Sequence, residues 1–180
     1  MRMIKLNDIV FLGGSCNPSN WRKEIAIPYL NNLNISYYNP QVDNWTPDLV
    51  KQEDLIKKSC KCLLFVISEE TRGIASMVEV AYLSSMKRHV ILVMKDTFNF
   101  KTSTDNEQIE LYKARKVIEE IMRVNNLYKT DNIAKALEQC VKTINQENVE
   151  MNTNLRDVNL NAEDLNYYDV YIYVSDDLSD

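Results

Sequence analysis

The sequence predicts an α/β fold: a doubly wound parallel sheet of five strands, order 2-1-3-4-5, with helices on both faces and an acidic C-terminal extension. Short apolar runs such as Leu63-Leu64-Phe65-Val66-Ile67 read as strands buried on both sides, as parallel strands are. These runs alternate with stretches of helical periodicity, the pattern of repeated strand-helix-strand units. No internal repeat or long linker interrupts the alternation before residue 147.

Residues 8–14 form the first strand, which ends in a Gly13-Gly14 turn. A helix over 21–33 carries apolar residues at Ile25, Ile27, Leu30 and Leu33. Residues 35–39 form a short second strand, stopped by Pro40. The helix over 47–59 opens with Pro47, with Thr46 as its N-cap. Strand 62–67, helix 74–86 and strand 89–94 follow, then a polar stretch to residue 106. An amphipathic helix over 107–123, a small strand at 127–128 and a helix over 132–144 capped by Asp131 complete the domain, residues 1–146.

Residues 147–180 hold nine acids and one Arg, a net charge of about −8 that leaves +3 for the rest of the chain. Such a segment is usually solvated, yet its Tyr167 to Val174 stretch alternates and predicts a late strand on this sheet or on a partner subunit. The chain shows no basic stripe for nucleic acid and no apolar run long enough for a membrane span. Its N-terminus enters a strand without a signal-peptide core, and the four cysteines lack zinc spacing, which together point to free thiols in the cytosol. The single His89 argues against a catalytic Ser-His or Cys-His pair and excludes a His-rich metal site.

Three constellations could carry chemistry. The first is the loop Gly13-Gly14-Ser15-Cys16-Asn17-Pro18, extended by Trp21; it is either a plain tight turn or a ligand-contacting loop, and is neither a Walker loop nor a dinucleotide fingerprint. The second is Asn39-Pro40-Gln41 with Trp45, whose amides and indole suit a heterocycle, unless Trp45 only packs under the next helix. The third is Glu79, the one carboxylate in the apolar stretch 74–83, about a turn and a half into its helix. An unpaired buried carboxylate costs on the order of several kcal/mol, so it needs a partner or a use. Arg72, Gly73 and the helix N-terminus would form an anion site beside it, with Ser76 as a neighbouring donor; Arg72 could equally pair with Glu69 or Glu70. The opposing reading is a narrow solvated stripe of Arg72, Ser76, Glu79 and Lys87.

Phe11-Leu12-Gly13-Gly14-Ser15, Tyr38-Asn39-Pro40-Gln41 with Trp45-Thr46-Pro47, and the block from Glu70 to Tyr82 together resemble the nucleoside 2-deoxyribosyltransferase-like family over residues 8–95. The resemblance implies a flavodoxin-like fold, a homodimer or larger oligomer, a small-molecule nucleoside or nucleotide as partner, and no metal or organic cofactor. It makes Glu79 the nucleophile at C1′ of a deoxynucleoside, forming a glycosyl ester that another base or water resolves. Glu69 and Glu70 are the loop carboxylates able to supply a proton to the departing base. Two departures stand out: Phe11 replaces a Tyr of the transferases, and Gly73 replaces an Asp six residues before the nucleophile. Related nucleotide N-glycosidases also lack that Asp, so hydrolysis of a 5′-monophosphate, with Arg72, Gly73 and Ser76 near the phosphate, is the alternative. A noncatalytic nucleotide-binding module is the third outcome.

Overall fold

The computed structural model describes residues 2–5, 9–42, 44, 46–95, 105–154 and 171–174. Its elements are β1 (Arg2–Lys5), β2 (Ile9–Gly14), a π-helical segment (Arg22–Ala26) that continues as α1 (Ile27–Asn32), β3 (Ser36–Tyr38), α2 (Asp48–Ser59), β4 (Cys62–Ile67), α3 (Ile74–Ser85), β5 (Val90–Met94), α4 (Asn106–Val124), β6 (Tyr128–Thr130), α5 (Ile133–Asn154) and β7 (Tyr171–Val174). The main sheet has the order β3-β2-β4-β5-β6, all parallel. Counted along the chain, its own strands run 2-1-3-4-5, as the apolar runs predict.

Alternation along the strands divides the core in two. Ile9, Phe11, Leu63, Phe65, Ile67, Val90, Leu92 and Met94 face one side, against Ile56 of α2, Met77, Val80 and Leu83 of α3, and Ile118 and Met122 of α4. Val10, Leu12, Cys62, Leu64, Val66, Ile91 and Val93 face the other, against Trp21, Ala26 and Leu30, and against Ala136, Leu137, Cys140 and Ile144 of α5. Every residue of β4 and β5 is buried, which is why both read as unbroken apolar runs rather than alternating ones. The edge strands β3 and β6 are short and part-exposed.

Several expectations are corrected. The first helix begins with π winding, with the Ile27 N–H donating to the Arg22 carbonyl, and this wider turn shifts its phase. Arg22, Ala26 and Leu30 are buried in consequence, while Ile25 and Leu33 face solvent. Thr46 is not the side-chain cap of α2: Pro47 holds the cap position, and the Thr46 and Pro47 carbonyls accept from the Leu49 and Val50 N–H groups. Asn132, not Asp131, caps α5, because its Oδ1 accepts from the Lys135 N–H at 3.1 Å, the reach of an N-cap to the third helical residue. That helix runs to Asn154, ten residues beyond the expected end. The late strand β7 does not join the main sheet; it pairs antiparallel with β1, from Arg2 opposite Val174 to Lys5 opposite Tyr171. Among the described residues, no helix is long and apolar enough to cross a membrane.

Close approach of β2 to β4 explains the double glycine. A Cβ on Gly13 would lie 2.5 Å from the Phe65 ring, and one on Gly14 would lie 2.1 Å from the Val66 carbonyl oxygen. Gly14 also has φ +106°, which L residues rarely adopt. The cysteines are all free thiols: Cys60 is pushed up to about 12 by burial, and Cys62 is raised by its hydrogen bond with Cys140 and by burial.

Two outcomes follow from this packing. Gly14→Ala should lose about 3 kcal/mol or more of stability, read from denaturant unfolding, because backbone rather than a flexible side chain must give way. In the native protein at neutral pH a disulfide-exchange reagent should titrate Cys16 alone, with the other three thiols appearing only on unfolding.

Candidate active site

Gly73 opens α3 in the left-handed conformation, φ 65°, with the Ile67 side chain close beneath it. The helix lays Ser76, Met77, Val80, Leu83 and Ser84 on the sheet. That register turns Glu79 onto the flank toward α2, where its side chain is 37% exposed. Its Oε1 accepts a hydrogen bond from Lys57 Nζ. Ser76 is buried, so the stripe of Arg72, Ser76, Glu79 and Lys87 is not a uniformly solvated face.

Lys57 is the residue that sequence reasoning missed. Its side chain is only 6% exposed, with Glu53 Oε2 at 3.3 Å on the same helix and the Phe11 ring centroid 5.3 Å from Nζ. Phe11 stacks on Tyr38 at 5.7 Å and meets Phe65 at 6.0 Å, forming an aromatic floor under the ammonium. Burial, then the nearby Glu53 carboxylate, raises the Tyr38 phenol above its ordinary value. The four-residue spacing of Glu53 and Lys57 was visible as a helical ion pair. Nothing local indicated that it would face Glu79 across two helices. Phe11 has no hydroxyl to offer, and the donor to Glu79 comes from α2 instead.

The tip of β2 is held from behind. Arg22 donates from Nε to the Leu12 carbonyl at 2.8 Å, from Nη1 to Ser15 at 2.6 Å and from Nη2 to Gly14 at 3.0 Å. Burial lowers the pKa of this guanidinium, though the carbonyl cluster satisfies its donors. Trp21 is also buried there; its Nε1 donates to the Ser15 carbonyl at 3.1 Å, and the Arg22 guanidinium lies 4.6 Å from its ring centroid. Asn17 precedes a cis bond to Pro18.

The structure joins the first loop to the other two. Ser15 Oγ accepts from the Ser68 N–H at 3.0 Å and lies 2.5 Å from Thr71 Oγ1. Gln41 Nε2 donates to Asn17 Oδ1 at 3.3 Å, and the Gln41 N–H donates to Asn39 Oδ1 at 3.1 Å. Trp45 lies outside the described residues.

Arg72 is held elsewhere. It pairs neither with Glu69 nor with Glu70 but with Glu107 of α4, at 2.6 Å, while Glu69 pairs with Lys95 at 3.2 Å. Arg115 of α4 fastens the same loop by donating to the Thr71 and Ser68 carbonyls at 3.3 and 3.5 Å. Two clefts of about 320 Å³ border this loop. Glu69 and Glu70 line both; Trp21, Val66, Val93, Lys95 and Asp131 line one, and Arg72, Tyr112 and Arg115 the other. The loop therefore carries its charged groups toward β5 and α4, whereas Glu79 faces α2. Among the described residues, no group of three or more His, Cys, Asp or Glu side chains is placed to hold a metal.

Comparison with known proteins adds a family and a likeness to solved structures. The TIR domains of the activated Roq1 resistosome, solved recognizing the pathogen effector XopQ, share 16% identity, with a TM-score of 0.42 over 74% of this chain and 96% of theirs. No curated protein matches the sequence. Residues 7–97 match the family described as nucleoside 2-deoxyribosyltransferase like, a span that holds β2 through β5, the Gly13-Gly14 turn, Lys57 and Glu79. The chain belongs to that nucleoside 2-deoxyribosyltransferase-like family.

Proposed function

We propose that the protein exchanges the base of a deoxynucleoside through a covalent glycosyl ester on Glu79. The observation that carries this reading is the Glu79 carboxylate itself: one oxygen is engaged by Lys57, and the group is still 37% exposed on the flank of α3 toward α2. In the first displacement a carboxylate oxygen bonds to C1′ while the C1′–N bond breaks, its electron pair leaving with the base. Glu69 or Glu70 can supply the proton that the departing base takes up only once their loop turns from β5 and α4 toward Glu79, with the Glu69-Lys95 pair released. A second base then attacks C1′ through a ring nitrogen as the C1′–O ester bond breaks, which restores the Glu79 carboxylate. The nitrogen's proton returns to the carboxylate that protonated the first base. Asn17, Asn39 and Gln41 present amides suited to the edge of a heterocycle, with Ser15, Gly13 and Gly14 shaping the loop beneath. Trp21 supports that loop from behind, and Trp45 would add a stacking face.

Water in place of the second base would make the same site an N-glycosidase. For a 5′-monophosphate the phosphate would sit at Gly73 and Ser76 with Arg72. The ion pair of Arg72 with Glu107, on the α4 side of α3, favours the uncharged nucleoside instead. The free thiols fit a cytosolic setting. Ile74, Val78 and Tyr82, exposed at 56%, 66% and 47%, make an apolar stripe on the outer side of α3 that supports pairing with a second copy of the chain.

A chromatographic assay with 2′-deoxynucleosides, each with and without a second free base, tests the chemistry. Glu79→Gln should lower turnover about 1,000-fold or more while substrate still raises the melting temperature of the variant. Exchange product identifies a transferase, and free base alone identifies a hydrolase. Thermal stabilisation by the nucleosides without any product would leave only a binding module. The deoxynucleoside should have a kcat/KM at least about tenfold above that of its 5′-monophosphate, since the Glu53-Lys57-Glu79 cluster carries a net negative charge. Light scattering should report a dimer or larger assembly for the wild type, and a smaller species for Val78→Glu.

A further inference from the structure

We infer that Lys57, backed by Glu53, is the positioning residue of Glu79: its ammonium fixes one carboxylate oxygen and leaves the other to meet the substrate. The inference rests on the reading of Glu79 as nucleophile and extends it to two residues of α2. Three features of the cluster support it.

The first is burial. The next residue along α2, Lys58, makes the same i,i+4 pair with Asp54 at 2.6 Å, and both partners of that pair are well exposed, at 40% and 37%. Lys57 and Glu53 repeat the chemistry one step around the helix, but at 6% and 16% exposure. An ordinary surface pair is worth little and can stay in water. Burying Lys57 requires compensation for its lost hydration, and the fold supplies it from Glu53, Glu79 and the Phe11 ring.

The second is the order of exposure. From inside outward the three charges run Lys57, Glu53, Glu79, so of the two carboxylates that share the ammonium, Glu79 is the more exposed. A hydrogen bond to a single oxygen also breaks the symmetry of the carboxylate and selects which lone pairs face C1′.

The third is charge balance during the reaction. When Glu79 becomes an ester its negative charge is gone, and a buried ammonium held by Glu79 alone would be stranded. Glu53 remains as counter-charge, so the ester can form without leaving Lys57 uncompensated. The base departs from the face of C1′ opposite Glu79, so an ammonium behind the nucleophile cannot serve as its acid.

The test uses the full chain with the deoxynucleoside and acceptor base that the wild type turns over fastest, and compares kcat, KM and melting temperature. Lys57→Met should lose about 100-fold in kcat, the scale of a misplaced reacting group, with KM within about threefold. Lys57→Arg, which restores a cation on the carboxylate, should recover at least about tenfold of that loss. Glu53→Gln leaves the Lys57-Glu79 pair in place, and should lower kcat about tenfold through the ester-forming step. Wild-type kcat in folded Lys57→Met, or no recovery in equally folded Lys57→Arg, overturns the positioning role. If Lys57→Met does not fold, the Arg and Gln variants decide alone: unchanged kcat in folded Glu53→Gln, or an Arg variant no better than Glu79→Gln, overturns it. Absence of Glu79-dependent product in the wild type is a separate result, seen before any Lys57 variant is compared, and overturns the nucleophile reading together with this one.

Discussion

Burial of β4 on both faces is the constraint on which the rest of the structure depends. All six of its side chains are enclosed, so the strand must have neighbours on both edges and helices above and below. Each large apolar side chain placed there contributes about 1.5–3 kcal/mol relative to exposure, which makes this strand the firmest reference in the fold. Its neighbours adjust to it. Gly13 leaves room for the Phe65 ring, and Gly14 lets the chain pass close to the Val66 carbonyl. The double glycine is therefore first a packing device. The same close approach also carries Ser15 onto the loop that follows β4.

From that junction the site is assembled by ties that serve stability and position at once. Ser15 connects two loops through Ser68 and Thr71, and Gln41 connects a third through Asn17. Arg22 and Trp21 hold the first loop from the α1 side, while Arg115 holds the β4-to-α3 loop from α4. Strand tips alone would leave these segments free to move. The buried donors and carbonyls left unpaired by such movement would be costly, so the loops stay near one arrangement.

Electrostatics then separates two kinds of charge in the same neighbourhood. Arg72, Glu107, Glu69 and Lys95 are exposed and paired across loops, where water screens them and their contribution to stability is small. Lys57 sits against an aromatic floor with Glu53 beside it, so its ion pairs with Glu53 and Glu79 are less screened than those of the loop. Buried Lys57 and half-buried Glu53 are held by one another, and Lys57 also by Glu79. Substituting one of them alters the partners as much as the site itself.

Much of this was legible along the chain. Apolar runs, their alternation with helices, and the isolation of Glu79 in an apolar helix are local properties, and strand order and the location of that carboxylate follow from them. Helix caps and the π-wound start of the first helix were not legible to the same degree, because competing caps one residue apart differ by only about 1 kcal/mol and the phase of Ile25 depends on the winding. The pairing of β7 with β1 joins the two ends of the chain, and no local pattern names such a partner. Lys57 is the clearest case. In sequence it is one lysine of an adjacent pair on a polar helix; only the packing of α2 beside α3 makes it a buried cation and Lys58 a solvated one. The sequence by itself determined which segments would be strand or helix, because hydrophobic periodicity is written residue by residue. Tertiary structure decided which charges meet, because that depends on how two helices are set side by side over the sheet by the packing beneath them.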